Sequence, residues 1–308
     1  MKTLTEEEVK ARLKPDEVIA AIEEAFRSRY PQTLMPVRTQ MDLAHGVFLA
    51  MPCYDRSGRG LGMKLVTVLN AAAPVEEKLH ATYLLLDPET GQPHCVIAAR
   101  YLTELRTAAT SAVATKLLAR EDAKVLGIFG SGRQARIHLT VLSRVRNFEH
   151  YLISGLDVER TREFAQEMTK ELGAPVESVY SRACAAESDV LCTCTTSNVP
   201  LFDGNLLRAG THLNLVGAFR SDTREVDDFT VQTARVMVDT YDGALAEAGD
   251  ILIPLKKRLI TRGHILADLH ELVSGKKKVR TKGDEITLFK SVGCALEDLV
   301  TAELIAQA

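Results

Sequence analysis

The 308-residue chain lacks three features that would each indicate a functional class. It has no excess of charge of one sign, because 38 basic residues face 41 acidic ones and leave a net charge of −3. We therefore expect neither a nucleic acid nor an anionic membrane as a partner. No run of about 18 apolar residues occurs, which a membrane-spanning helix would require. The N-terminal MKTLTEEEVK is acidic, whereas a signal peptide is basic and then apolar, so a cytoplasmic location is expected.

The six cysteines lack the spacing of a metal or redox motif. No C-x-x-C pair occurs, and no histidine stands at zinc-ligand spacing from them. Cys192 and Cys194 alternate within DVLCTCT, which places both on one face of a predicted strand, and we interpret them as small buried hydrophobic residues. A metal site and a disulfide are both disfavoured, and reduced thiols agree with a cytoplasmic protein.

The length and the hydrophobic pattern predict two domains. Helical spacing at the N-terminus is interrupted at Pro15, which predicts two short helices. Strand-like runs with a period of two lie between Pro36 and Asp87, and HCVIAA resumes this pattern after the turn TGQP. The alanine-rich LTELRTAATSAVATKLLA is a predicted helix. We expect residues 1–116 to form a mostly antiparallel sheet with helices.

Beyond residue 116 the pattern changes to strands that alternate with helices. This alternation predicts an α/β fold with a parallel sheet and helices on both faces. The predicted strands are KVLGIFG, HYLISG, a short strand near Val176, DVLCTCT, THLNLVG and ARVMVDT.

The stretch GIFGSGRQA is the strongest motif of this second region. Gly130, Gly132 and Ala135 fit G-x-G-x-x-G/A, directly after a predicted strand and at the start of a helix. The first glycine allows a tight turn, the second lets the backbone approach a pyrophosphate, and Ala135 lets helix and strand pack closely. The free amides of the helix N-terminus would bind the anion. The motif predicts NAD(P)H binding, and a tight turn without a ligand is the alternative.

The choice between NADH and NADPH stays open at sequence level. An acidic residue at the tip of the second strand would hold the ribose hydroxyls, and a basic one would favour the 2′-phosphate. The residues at this tip are Ser154, Gly155 and Leu156, which have neither property. Asp157 could serve the first role and Arg160 the second, but both are equally suited to a helix start.

Three basic residues of the first region stand in apolar surroundings: Arg38 in LMPVRTQ, Lys64 in LGMKLVTV and Arg106 in LTELRTAATSA. A buried cation needs a partner. An anionic substrate is one candidate, since the planar fork of arginine binds a carboxylate with two parallel hydrogen bonds. An internal salt bridge is the other candidate, and the sequence leaves both open.

Eight stretches, in order and at matching spacings, closely resemble the ornithine cyclodeaminase/μ-crystallin family. The resemblance implies a Rossmann domain, residues 117–290, inserted into a substrate-binding and dimerisation domain of residues 1–116 that residues 291–308 rejoin. It also implies a homodimer that forms through the N-terminal sheets. The stretches are PVRT (36–39), GMKLVT (62–67), HATYLLLD (80–87), LRTAATSAVATKLL (105–118), GSGRQA (130–135), LVGAFRSDTREVDD (215–228), EAGDI (247–251) and TLFKSVGCALEDLVTA (287–302).

The resemblance also implies roles for single residues. Arg38, Lys64 and Arg106 match residues that surround the substrate carboxylate, and His80 is a candidate proton donor, although a strand-end histidine has an equally good structural interpretation. The expected cofactor-binding set combines residues that the family places close to the cofactor with residues of the glycine loop, of the tip of the second strand and of the loop VGAFRSDTREVDD. It is Thr82, Arg106, Ser111, Gly130, Ser131, Gly132, Arg133, Gln134, Ala135, Ser154, Gly155, Asp157, Thr195, Thr196, Val216, Gly217, Ala218, Phe219, Lys290 and Ser291.

The loop VGAFRSDTREVDD separates the possible reactions. Cyclodeaminases resemble one another in having an aspartate directly after Gly-Ala, where it exchanges protons with the substrate amine, and this chain has Phe219 there. Asp222 is three residues further on, so Asp222, Arg224 and Glu225 are assigned to loop-ordering ion pairs. Reduction of a cyclic ketimine carboxylate needs alignment and carboxylate anchoring above all. Deamination without a positioned acid/base should be slower by about 10²-fold or more.

The sequence therefore predicts an NAD(P)H-dependent ketimine reductase. Its substrate would be Δ1-pyrroline-2-carboxylate or Δ1-piperideine-2-carboxylate, and its product L-proline or L-pipecolate. A cyclodeaminase and an alanine-type amino-acid dehydrogenase are the alternative enzymes. A cofactor-dependent binding protein without catalysis, similar to μ-crystallin, is the alternative from a different class.

Overall fold

The computed structural model describes residues 1–69 and 79–306. The chain divides into two compact units. The first contains Met1–Thr110 and Gly293–Ala308, and the second contains Ser111–Val292. The second unit is thus inserted into the first along the chain.

A seven-stranded sheet is the framework of the first unit. All described pairings in it are antiparallel except that of the first strand with the last, so the prediction of a mostly antiparallel sheet is confirmed. The strand order is β1-β7-β6-β5-β4-β2, and β3 also pairs with β4. The strands are β1 (Lys2–Leu4), β2 (Thr33–Leu34), β3 (Thr39–Leu43), β4 (Gly46–Asp55), β5 (Gly60–Leu69), β6 (Leu79–Leu86) and β7 (Pro93–Ala98).

The helices of the first unit begin at recognisable signals. The N-cap Thr5 and Glu8 form a capping box, in which each side chain binds the other residue's backbone amide. Pro15 occupies the first turn of the second helix, where its missing N–H has no intrahelical partner to lose, so the predicted break is confirmed. The helices are α1 (Glu6–Arg12), α2 (Pro15–Glu24), a π-helical turn (Ala25–Arg29), a 3-10 turn (Tyr30–Gln32), α3 (Arg100–Leu118), which continues into the second unit, and α11 (Ala295–Ala306).

Alternation along β5 places a cation inside the first unit. Gly62, Lys64 and Val66 are buried, and the residues between them are partly exposed. This is the pattern of a strand with one covered face. Helix α11 packs against β5, and its Leu296 and Leu299 are fully buried. Lys64 therefore points to a covered face of the sheet.

An eight-stranded, all-parallel sheet is the framework of the second unit. Its strand order is β10-β9-β8-β11-β12-β15-β13-β14, which confirms the predicted parallel α/β fold. The strands are β8 (Val125–Phe129), β9 (His150–Ser154), β10 (Val176–Ser178), β11 (Val190–Thr193), β12 (His212–Leu215), β13 (Arg235–Val238), β14 (Ile265–Asp268) and β15 (Thr287–Lys290). The helices are α4 (Arg133–Leu142), α5 (Val158–Leu172), α6 (Ser181–Glu187), α7 (Asp228–Thr233), α8 (Tyr241–Glu247), α9 (Gly249–Lys256) and α10 (Leu269–Val273), with 3-10 turns at Gly204–Leu206 and Arg262–His264.

The central strands of this sheet are buried along their whole length. All four residues of β11 and all four of β12 are buried, as expected for parallel strands that are covered on both faces. Strand β15 is inserted between β12 and β13 although it follows β14 in the chain. This insertion places Lys290, the last residue of β15, in register with Leu215 and Val238. The end of β12 thereby acquires a buried cation that lies 75 residues away in sequence.

Within the described part of the chain, we find no helix with the length and apolar character that crossing a membrane requires.

Candidate active site

The turn between β8 and α4 has the geometry of a dinucleotide-binding loop. Gly130 has a φ of +114°, a conformation that L side chains rarely adopt. A Cβ at this residue would lie 2.6 Å from the carbonyl oxygen of Cys194. The Gly130 amide donates to the Ser154 carbonyl at 2.8 Å, which ties the loop to the end of β9. Only glycine fits at this position.

Gly132 leaves an open approach to the first turn of α4. It is the N-cap residue, has no side-chain cap and is exposed, and a Cβ built on it would meet nothing within 4 Å. The amides of the first helical turn have no intrahelical acceptor and form an anion-binding position. Ala135 is fully buried, as close packing of the helix on the strand requires. The residues present fit the pyrophosphate of a dinucleotide.

The tip of β9 does not distinguish the two dinucleotides. Ser154 is buried, Gly155 is half-buried, and Leu156 is fully exposed. Asp157 is the N-cap of α5, and its carboxylate accepts a hydrogen bond from the Arg160 amide at 3.1 Å. The local role of Asp157 is therefore helix capping, and its contact with a ribose stays a prediction.

Glu225 organises the loop that follows β12. Its buried carboxylate accepts hydrogen bonds from the Gly217 amide at 2.8 Å and the Ala218 amide at 3.3 Å. It also accepts from the Thr195 amide and hydroxyl, at 2.9 and 2.7 Å, and from the Thr193 hydroxyl at 2.7 Å. One side chain thus joins the ends of β11 and β12.

Lys290 places a buried positive charge beside the carboxylates of Glu225 and Asp250. Its fully buried Nζ donates to the Ala218 carbonyl at 2.5 Å and lies 3.1 Å from an Asp250 carboxylate oxygen. The other Asp250 oxygen accepts from the amides of Glu225 and Val226. Burial raises the pKa of Glu225, and the positive charge of Lys290 opposes that rise. Sequence reasoning missed Asp250, although its position in the matching stretch EAGDI was a signal.

The other charges of the loop lie outside this buried network. Asp222 is exposed and pairs with Arg220 at 3.2 Å, and this contact lowers the pKa of Asp222. Arg224 pairs with Asp228 at 2.7 Å. The expected loop-ordering ion pairs therefore exist for these residues, whereas Glu225 acts through hydrogen bonds to backbone and hydroxyl groups. Phe219 is half-buried near the start of the loop.

The remaining residues of the expected cofactor-binding set have varied surroundings. The Ser291 hydroxyl donates to Asp239 at 3.0 Å, and the Ser111 hydroxyl lies 3.1 Å from His138 Nε2. Thr196 is exposed, as are Thr82 and His80 on β6. Ser131, Arg133 and Gln134 are partly buried at the glycine loop, and Val216 is partly buried after β12.

The three basic residues expected at the substrate carboxylate lie near the N-terminal end of α11. Lys64 Nζ contacts the Asp298 carboxylate at 2.7 Å, and the Arg106 guanidinium contacts Glu297 at 2.5 Å and Asp298 at 2.9 Å. Arg38 is half-buried and donates to the Gly293 carbonyl at 3.3 Å. The internal salt bridges that the sequence left open are therefore present. The two acids, adjacent in the apolar stretch CALEDLV, were the available signal for them.

The cations of this cluster also act on one another. Burial and the neighbouring Arg106 charge lower the pKa of Lys64 to about 8, and Asp298 opposes this shift. Arg38 contributes to it as well, which places it within electrostatic reach of Lys64. Basic side chains that meet at one place are suited to a carboxylate ligand, because arginine can bind a carboxylate with two parallel hydrogen bonds.

We predict that Gly132→Val weakens NADH binding at least about tenfold, which corresponds to about 1.4 kcal/mol. Valine is compatible with the extended backbone here, with φ at −100° and ψ at −170°, so the fold should persist while the side chain fills the approach to the amides. Titration of NADH fluorescence measures the affinity. Gly283→Val is the matched control, because a Cβ there also meets nothing within 4 Å. Equal affinity in both variants would contradict a pyrophosphate site at this loop.

Comparisons with known proteins agree with this geometry. A Δ1-pyrroline-2-carboxylate reductase from Bacillus cereus is 35% identical over 280 residues, which cover 89% of this chain and 86% of that protein. The structure of Thermococcus litoralis Δ1-pyrroline-2-carboxylate reductase in complex with NADH and L-proline has a TM-score of 0.95 and 39% identity, and the match covers 100% of this chain and 97% of that one. An archaeal alanine dehydrogenase dimer with bound NAD has a TM-score of 0.93 and 30% identity, covering 100% and 95%. The model of the ornithine cyclodeaminase/mu-crystallin family matches residues 1–308, and this chain belongs to that family.

Proposed function

We propose that the protein reduces a cyclic ketimine carboxylate, Δ1-pyrroline-2-carboxylate or Δ1-piperideine-2-carboxylate, to L-proline or L-pipecolate. It is an NAD(P)H-dependent imine reductase. The observation that supports the substrate class is that Lys64, Arg106 and Arg38 meet near the start of α11, where basic side chains could bind a carboxylate. Relatives named Δ1-pyrroline-2-carboxylate reductase support a cyclic imine as the substrate. A solved relative that holds NADH and L-proline supports both the cofactor and the class of product.

The cation cluster would anchor the substrate through its carboxylate. Arg106 is held by Glu297 and Asp298, so its guanidinium is oriented before the substrate arrives. Lys64 is held by Asp298 in the same way. Such preorganisation lowers the entropic cost of binding and fixes the position of the imine carbon next to the carboxylate.

The second unit would hold the cofactor. The pyrophosphate would lie on Gly130–Ala135, and the nicotinamide near Val216–Phe219 and Lys290–Ser291. Bound NAD(P)H supplies a hydride to C2 of the imine. The network of Glu225, Lys290 and Asp250 would keep the Val216–Phe219 backbone in place, and Phe219 would contribute an apolar wall that excludes water.

The reduction needs little proton chemistry from the protein. A protonated imine already carries the proton that its nitrogen keeps in the product amine, whereas a deaminase must also move protons to and from an amine that leaves as ammonia. Phe219 carries no titratable group, Asp222 is exposed and paired with Arg220, and Glu225 is engaged in five hydrogen bonds. His80, exposed on β6, stays a candidate proton donor within this proposal.

The function is tested by following the oxidation of NADH and NADPH with both cyclic ketimines and with 2-oxo acids plus amines. We expect turnover with the cyclic ketimines and no detectable ammonia release from L-ornithine with NAD⁺. Efficient conversion of ornithine to proline would overturn the reductase proposal in favour of a cyclodeaminase. Nucleotide and carboxylate binding without any turnover would favour a non-catalytic binding protein.

A single substitution examines the role of Phe219 in the same assay. Phe219→Asp should gain a low rate of ornithine turnover and lose imine reduction, because the new carboxylate lies beside the nicotinamide without groups shaped to hold it. Phe219→Leu is the control that keeps the wall apolar, and it should retain most of the reductase activity.

We predict that Arg38→Ala raises the KM for the cyclic ketimine about 30-fold while kcat changes much less. Truncation of one partner of a desolvated charge pair costs about 2–5 kcal/mol, and the lower end applies to a half-buried arginine. Arg38 suits this test better than Arg106, because loss of Arg106 would also strand the buried carboxylates of Glu297 and Asp298. Steady-state kinetics measure the effect.

Arg56→Ala is the matched control for Arg38→Ala, since Arg56 is exposed in the same unit. Its KM should equal that of the unmodified protein. An unchanged KM in Arg38→Ala would remove Arg38 from the substrate site.

We further propose that the protein is a homodimer that pairs through the N-terminal sheet. All five residues of β3 are exposed, and apolar side chains at Leu34, Val37, Met41 and Leu43 are between 42% and 53% exposed. An exposed apolar edge of this kind is a site for pairing with another chain. The archaeal alanine dehydrogenase is a dimer, which supports a second copy of this chain as the partner that covers the exposed edge at β3.

Sedimentation velocity tests the dimer. The unmodified chain, of 33.8 kDa, should sediment as a dimer, and Met41→Asp should shift it toward monomer because it buries a charge in the interface. Leu156→Asp, at a fully exposed apolar position in the second unit, is the control and should leave the dimer intact. A monomeric unmodified protein, or a dimer unaffected by Met41→Asp, would contradict the proposed interface.

A further inference from the structure

Three soft or borderline metal-ligand side chains meet inside the second unit. They are His138 of α4, Cys192 of β11 and Cys194 directly after β11. The His138 ring nitrogen and the two sulfur atoms all lie within 4.8 Å of one another. The imino-acid chemistry proposed above uses none of these three side chains. We propose that His138, Cys192 and Cys194 form a Zn²⁺-binding site beneath the dinucleotide loop.

The spacing of the donor atoms agrees with a tetrahedral ion. Zinc binds cysteine sulfur at about 2.3 Å, so two sulfurs on one tetrahedral zinc are about 3.8 Å apart. The Cys192 and Cys194 sulfurs are 3.6 Å apart. Residues two apart on an extended backbone point to the same face, which places the Cys192 side chain on β11 beside that of Cys194 directly after it.

The histidine is oriented for coordination through Nε2. His138 Nδ1 lies 2.7 Å from the Gln134 carbonyl, and because a carbonyl only accepts, Nδ1 must carry the hydrogen. In a neutral imidazole the lone pair then lies on Nε2. This is the arrangement of zinc-ligating histidines, in which an outer carbonyl fixes the tautomer. The Ser111 hydroxyl, 3.1 Å from Nε2, would donate to this lone pair without an ion, and a water molecule would complete the four ligands of a bound zinc.

Charge balance selects the kind of ion. His138 and Cys192 are fully buried, and Cys194 is partly buried, so an ion held by them would be largely removed from solvent. On coordination each thiol releases its proton to solvent, and two thiolates with a divalent cation and a neutral histidine give a site of zero net charge. A monovalent ion would leave an uncompensated negative charge in the interior. Two sulfurs and one imidazole bind zinc in preference to harder divalent ions.

The position of the site connects it with the glycine loop. The Cys194 amide donates to the Phe129 carbonyl at 2.8 Å, and the Cys194 carbonyl occupies the space next to Gly130. His138 lies one turn after Gln134 on α4. A bound ion would therefore join α4, which begins at the dinucleotide loop, to the end of β11, where the Cys194 carbonyl lies next to Gly130.

Cobalt(II) is the first probe, because Co²⁺ takes zinc sites and reports thiolate ligation by absorption. The chelator-treated full-length protein should bind one Co²⁺ per chain with sulfur-to-cobalt charge-transfer bands in the near ultraviolet, and Zn²⁺ should displace it. Cys192→Ala and Cys194→Ala should each lower the affinity at least about 100-fold, since loss of a ligand costs more than the 10- to 100-fold loss of an outer partner. Cys184→Ala, another buried cysteine of the same unit, should bind as the unmodified protein does.

X-ray absorption at the zinc edge, with the unmodified protein and one equivalent of Zn²⁺, keeps the proposal testable if the variants fail to fold. We expect two sulfur neighbours at about 2.3 Å and at least one nitrogen at about 2.0 Å. A coordination shell of oxygen and nitrogen alone, the absence of charge-transfer bands with Co²⁺, or equal losses of affinity in Cys184→Ala and Cys194→Ala would each overturn the site. None of these measurements depends on imine reduction.

Discussion

The contact between Asp298 and the two cations Lys64 and Arg106 is the interaction on which the first unit depends. It joins β5, α3 and α11, and Asp298 follows Lys64 by 234 residues and Arg106 by 192 residues along the chain. All three side chains are buried, so removal of one partner would leave an uncompensated charge, which costs about 3–5 kcal/mol. The C-terminal helix is thereby held against the N-terminal sheet, and the same contact orients the groups that would bind the substrate.

The second unit has a similar network of buried charges around Lys290. This buried cation is balanced by Asp250 and approached by Glu225, and the three together fix the backbone at Gly217 and Ala218. Each unit therefore contains a network of buried charges, between β5, α3 and α11 in the first unit and at the ends of β12 and β15 in the second. A binding loop that is held by buried charges loses little entropy when a ligand arrives, which favours accurate placement of small reactants.

The chemistry proposed for this chain follows from what the loop after β12 does not contain. Phe219 cannot exchange protons, and the acids near it are either paired at the surface or used to hold the backbone. Reduction of an activated C=N tolerates this, because alignment of two bound reactants accounts for much of the rate. Expulsion of ammonia does not, because it requires a group within hydrogen-bond reach of the amine.

The sequence alone determined the features that depend on neighbouring residues. The spacing of Gly130, Gly132 and Ala135 identified the turn after β8, and Pro15 marked a helix boundary. Hydrophobic patterning predicted β3–β7 of the first sheet and β8–β13 of the second, but not β1, β2, β14 or β15. Apolar surroundings also identified Lys64 and Arg106 as buried cations, because a hydrophobic run implies burial whatever the fold. These signals depend only on residues close together in sequence, so they could be recognised without knowledge of the tertiary structure.

Only the tertiary structure decided the partners. The sequence could not show that Asp298 balances Lys64, that β15 inserts Lys290 beside the loop after β12, or that His138 reaches Cys192 and Cys194. The strand order and the packing of distant helices set these contacts, and loop closure between residues tens to hundreds of positions apart leaves no periodic signal in the chain. A residue's burial can be read from its neighbours in sequence, but its charge partner is selected by whichever element the fold brings within about 3 Å.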